Sequence, residues 1–117
     1  MQIRYPTGNI TAWRMREKAR LIDERGWTCE RPGCNNRIED LDEAIVTRKN
    51  MMGLSLEQKR IAYCTINLEL VCARHNREGA QDREGAWQRA VERYGLETCQ
   101  QWYASIGFKS PEKRFMP

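Results

Sequence analysis

Asn67-Leu68-Glu69-Leu70-Val71-Cys72-Ala73-Arg74-His75-Asn76 is the stretch on which the reading of this 117-residue chain turns. It joins an apolar strand (Leu68, Leu70, Val71), a Cys-x2-His pair and two asparagines nine positions apart. Cys72 and His75 need partners, and Cys29-Glu30-Arg31-Pro32-Gly33-Cys34 supplies them upstream. Its Pro32-Gly33 turn signal bends the backbone so that both sulfurs face one point. Three thiols and one imidazole form a set that tetrahedral zinc accepts, and pairs close in sequence each pre-form half of such a site. His75 is the only histidine in the chain, and it stands three residues after a cysteine. With Cys29, Cys34, Cys72 and His75 as ligands the zinc is structural, because no position is left open for water. The competing reading is three buried thiols and an imidazole without metal. Cys64 and Cys99 fall outside both pairs and read as core cysteines, with Cys64 the substitute ligand should Cys72 or His75 not serve.

A chain of this length is one domain, residues 1–117, of a size at which a structural metal still helps. Charged residues make up 31% of it and its mean hydropathy is −0.81. No apolar run approaches the roughly 20 residues that span a bilayer, which argues against a membrane protein. The first residues, Met1-Gln2-Ile3-Arg4-Tyr5-Pro6, lack the apolar core of a secretory signal. A cytosolic location follows as the expectation, with thiols kept reduced. The formal charge of +4 is compatible with a polyanionic partner.

Outward from the central stretch, residues 10–26 read as an N-terminal helix with Trp13, Met15, Ala19 and Ile22 as its apolar stripe. Its polar side, with Arg14, Arg16, Lys18, Arg20 and Arg25 against Glu17, Asp23 and Glu24, reads either as a solvated face of paired charges or as a phosphate-contacting one. Leu41–Thr47 is strand-like, Asn50–Gly53 a loop, and Ser55-x-x-Gln58 a capping box that opens a short helix. Helix resumes from Asn76. Residues 83–106 read as two C-terminal helices parted by Gly95, and 107–117 as a loosely held tail. The fold class expected is α+β, with a zinc-stabilised core over residues 27–79.

Strand, loop, strand and helix above a zinc knuckle, with acids on the first strand and asparagines flanking the second, resembles the HNH (ββα-metal) nuclease family. The resemblance covers Trp27 to Gly79. It places Asp42 and Asn76 as ligands of a catalytic divalent ion, Glu43 where the family carries its general-base histidine, and Asn67 as the orienting asparagine. His75 then stands for the second cysteine of the family's downstream pair. Leu41–Arg48 and Arg74–Gly79 are also similar to small phage-encoded members, which would put the protein in a host-cell cytosol.

Oxygen ligands such as Asp42 and Asn76 suit Mg²⁺ or Mn²⁺, which stabilises charge at a scissile phosphate while a base activates water. Arg48, Lys49, Arg74 and Arg77 near that site are expected to hold phosphates of double-stranded DNA without reading sequence. The resemblance therefore implies a metal-dependent DNA endonuclease or nickase with an atypical base. A glutamate with an ordinary pKa of about 4.3 is a weaker base at neutral pH than histidine at about 6.5. The alternative expectation is a zinc module that binds nucleic acid or a protein partner and does not cut.

Overall fold

The structure is a computed structural model in which residues 2–78 and 82–108 are described. Helix α1 spans Ile10–Arg25. It begins where the Asn9 side chain accepts the Ala12 N–H at 2.9 Å, an N-cap, and ends at Gly26, whose φ of 93° lies in the region glycine favours. Its buried stripe is Trp13, Glu17 and Leu21, spaced by four. The stripe expected through Met15, Ala19 and Ile22 is rotated, with Met15 72% exposed.

A carboxylate takes the core position because three groups satisfy it. Arg4 and Arg20 donate to Glu17 at 2.7 and 2.9 Å, and Thr65 Oγ1 donates at 2.9 Å. Burial penalises the Glu17 charge, but these hydrogen bonds outweigh it and hold the carboxyl below its ordinary value near 4.5. A depressed acid adds stability that is present above its unfolded pKa and lost as pH falls through the folded one. Glu17→Gln is therefore expected to lower the melting temperature clearly at pH 7. The gap to the native chain should close as pH falls below about 4, which thermal melts across pH 3–7 will measure.

Strand β1 is Asp40–Glu43 and β2 is Leu68–Val71, paired antiparallel with Asp42 opposite Glu69 and Leu41 opposite Leu70. The strand expected to run to Thr47 stops at Glu43. Asn67, fully buried in the 3-10 turn Thr65–Asn67, takes the N–H groups of Ile45 and Val46 at 2.9 and 2.8 Å and donates to the Val46 carbonyl at 2.9 Å. Those backbone groups are thus spent before any strand can claim them. Where a loop was expected, Arg48–Met51 forms a short helix, α2, because Thr47 Oγ1 accepts the Asn50 N–H at 3.3 Å. Helix α3, Leu56–Ala62, opens with the reciprocal Ser55–Gln58 capping box. Helix α4 spans Ala73–Glu78, so Asn76 is its fourth residue and not its start. Helices α5, Arg83–Tyr94, and α6, Leu96–Ser105, are parted by Gly95 as the sequence suggested.

The protein is thus α+β, with a two-stranded sheet and six α-helices among the described residues. One face of the hairpin sends Leu41, Leu68 and Leu70 against Trp13 and Leu21 of α1. A larger apolar core lies among α3, α5 and α6, with Trp87, Trp102, Tyr103 and Ile106 packed on Ile45, Val46 and Met51. Among the described residues no helix is long and apolar enough to cross a membrane. The tail beyond Phe108 and Gly79 at the end of the expected core lie outside the described residues.

Candidate metal centre and adjoining cleft

Cys29 and Cys34 sit on a knuckle built by local chemistry. Pro32 and Gly33, the latter at φ 74°, turn the chain so that the Cys34 N–H reaches the Arg31 carbonyl at 3.1 Å. Pro followed by a positive-φ glycine is the type II turn, which most other residues would strain. A bridge between Thr28 and Arg37 closes the knuckle, and the Glu30 N–H hooks it to the Leu70 carbonyl of β2 at 2.8 Å. Cys72 follows directly on β2, and its carbonyl accepts the N–H of Asn76 to start α4. One turn of that helix brings His75 back beside Cys72.

The four ligand atoms lie within 4.8 Å of one another. His75 Nδ1 is 3.4 Å from both Cys29 Sγ and Cys72 Sγ, and Cys34 Sγ is 3.9 Å from Cys72 Sγ. A tetrahedron with bonds of about 2.3 Å to sulfur and 2.0–2.1 Å to nitrogen has edges of about 3.8 Å between sulfurs and about 3.6 Å from sulfur to nitrogen. The observed separations match that figure, whereas a disulfide would need about 2.05 Å. All five cysteines are free thiols. The His75 backbone N–H donates to Cys72 Sγ and lowers that thiol to about 6, so it is thiolate at neutral pH. Burial pushes Cys29 up. Soft, closely held donors with no open position fit a structural metal such as zinc. On the outer side His75 Nε2 lies 3.2 Å from Arg74 Nη2 and 4.0 Å from a Glu78 carboxylate oxygen, the latter beyond hydrogen-bonding reach. Cys64 and Cys99 are buried elsewhere, and desolvation pushes their thiols up to about 12 and about 11.

Beside the knuckle a cleft of about 350 Å³ is lined by Asp42, Glu43, Arg14, Arg48, Lys49 and Asn76 among others. Asp42, Glu43 and Asn76 therefore share one concavity, while Asn67 is buried beneath it and holds the backbone that follows Glu43 rather than the Glu43 side chain. Both acids are buried, and each is already engaged by a guanidinium. Successive strand residues point to opposite faces, and the two acids find different partners. Arg31 donates to Asp42 at 2.5 Å and also to Glu69, the residue opposite it on β2. Like charges facing across a strand pair repel, and Arg31 between them removes that cost. Arg14 of α1 donates to Glu43 at 2.7 Å and to the Leu41 carbonyl at 2.6 Å, with Arg48 3.4 Å from the second Glu43 oxygen. Burial raises the Asp42 carboxyl pKa, partly offset by Arg31. Each cleft acid has its charge offset by arginine, Asp42 through Oδ2 and Glu43 through both oxygens, so a divalent ion would compete with those guanidiniums. Among the described residues the Cys–His set is the one group of three or more Cys, His, Asp or Glu side chains gathered tightly enough for a metal.

Arg48, Lys49, Arg74 and Arg77 are all exposed, the first two on α2 and the others on α4. Arg14 stands on the helix face read as either solvated or phosphate-contacting, whereas Arg31 and Glu69 are given no role from the sequence. The last carried a signal, since a carboxylate in the middle of an apolar strand requires a cationic partner. Comparison of the chain with protein-family models, with characterised proteins and with solved structures finds no match in any of the three. The class that the fold and centre define is a small α+β protein with a Cys3His cluster arranged for a metal ion.

Proposed function

We propose that the chain is a zinc-stabilised module of HNH-like build that grips duplex DNA through the cleft and does not cut it. The observation that carries this reading is the guanidinium on each cleft acid: Arg31 on Asp42 and Arg14 on Glu43. A buried arginine supplies the positive charge that a catalytic ion would otherwise bring, but it offers no site for an activated water. What supports the HNH-like build is the order of hairpin then helix, β1, β2 and α4, over the Cys3His centre. What supports the ligand is exposed positive charge near the cleft, Arg48 and Lys49 in its lining and Arg74 and Arg77 on α4, the helix that contributes Asn76 to it, where phosphates neutralise charge and release counterions.

The zinc-loaded protein is expected to shift duplex DNA with an affinity that falls steeply with salt. Reversing Arg48 and Lys49 together to Glu should weaken binding at least about tenfold and flatten the salt slope. Supercoiled plasmid incubated in Mg²⁺ or Mn²⁺ should stay intact. Salt-insensitive binding, or none, removes the DNA reading. Nicking above a chelator blank restores the second reading, a divalent-metal DNA nickase using Asp42, Asn76 and Glu43. That reading is favoured by one observation, the cleft that Asp42, Glu43 and Asn76 share.

A further inference from the structure

We propose that a second pocket, between α1, α2 and α3, receives one unpaired nucleotide of the bound DNA. The inference rests on the DNA-binding reading above and extends it to the form of DNA preferred. The pocket measures about 310 Å³, at the small end for ligand sites. Its walls combine the Tyr63 ring with the thioethers of Met51 and Met52, and its cations are Arg14, Arg48 and Lys59. Among the described residues no carboxylate lines it; Glu43, which pairs with both arginines, lies on the cleft side.

A flat aromatic beside soft thioethers is a stacking surface for any base, and the three cations suit the phosphate attached to it. Met52 is 80% exposed at the mouth, a large apolar group presented to solvent beside positive charge. Arg48 and Tyr63 line the same pocket, so the ring and a cation face one space. The decisive feature is continuity. Arg14 and Arg48 line both this pocket and the phosphate cleft, so a strand lying in the cleft has its neighbouring nucleotide at the pocket mouth. A base within a duplex is held in its stack, whereas an unpaired base can leave at little cost.

The test is fluorescence anisotropy of the zinc-loaded full chain on three DNAs of one duplex sequence: fully paired, with one central unpaired nucleotide, and with that nucleotide abasic. The unpaired nucleotide is expected to tighten binding about tenfold, and the abasic form to return to the paired value. Met52→Ser should abolish the gain while leaving paired-duplex affinity within about twofold, and Met52→Leu should keep most of it. Equal affinity for paired and unpaired DNA overturns the pocket and leaves the DNA-binding reading standing. An abasic DNA as good as the base-bearing one assigns the gain to DNA flexibility and also overturns the pocket. Failure of the paired duplex to bind removes the parent reading and this inference with it.

Discussion

Chelating zinc from the protein is expected to unfold it. The proposed ion ties Cys29 and Cys34 to Cys72 and His75, 38 or more residues away, and so closes the knuckle onto the end of the hairpin. Structural zinc contributes about 10–16 kcal/mol of apparent binding energy in small domains at neutral pH, comparable with a whole domain's stability of about 5–15 kcal/mol. Metal analysis should return one zinc per chain. A thorough chelator should abolish the cooperative melt, and Cys72→Ser should neither hold zinc nor fold. Cys99→Ala, which alters a buried thiol outside the cluster, should still carry one zinc even though it loses some core packing. A melting temperature unmoved by chelation, or full zinc loading of Cys72→Ser, would show that these four side chains are not the ligands.

The second large effect is expected at Glu69. Its carboxylate is 2% exposed and is held by Arg31 from the knuckle and by Arg89 and Arg93 of α5. Arg89 reaches it at 2.6 and 2.9 Å and also bonds Asp82 at 3.1 Å. Burial works against the Arg89 charge, but the hydrogen bonds it donates to Glu69 and Asp82 overcome this and hold that arginine above its ordinary value. Glu69→Gln keeps the size of the side chain and leaves three guanidiniums facing a neutral group. Breaking a buried pair from one side costs about 3–5 kcal/mol, which for a domain of this size lowers the melting temperature by about 10–20 °C. Arg31→Met combined with Glu69→Gln should cost less than the sum of the two, because each single change strands the other charge. Strict additivity would mean that Arg31 and Glu69 do not form the pair seen here. Since Arg31 also bonds Asp42, the same double variant reports how far the knuckle governs the cleft.

Much of the metal centre was legible in the sequence because its geometry is local. Arg31 to Cys34 is one turn made by Pro32 and Gly33, and Cys72 to His75 is one turn of helix. Each half of the site forms by backbone rules that hold wherever the segment lies. Several helices were legible for the same reason, through the capping box at Ser55 and breaks at Gly26 and Gly95. The end of β1 was not. Ala44, Ile45 and Val46 are as β-branched and apolar as a strand needs, but Asn67, 21 and 22 residues later, takes their hydrogen bonds.

The chain's own residues, taken in order, determined the helices, the capping box and the two half-sites for a metal, since each depends on neighbours a few positions apart. The tertiary structure alone decided which charges are buried. Glu17, Asp42 and Glu43 look like ordinary solvated acids in a chain that is 31% charged, and only Glu69, set in an apolar strand, signals burial. They become interior groups because Arg4, Arg14, Arg31 and Arg89 arrive from segments 11 to 29 residues distant. A carboxylate is tolerated away from water only where a cation meets it. That meeting is a matter of packing between distant segments, and it is what turns the cleft's acids from free ligands into neutralised pairs.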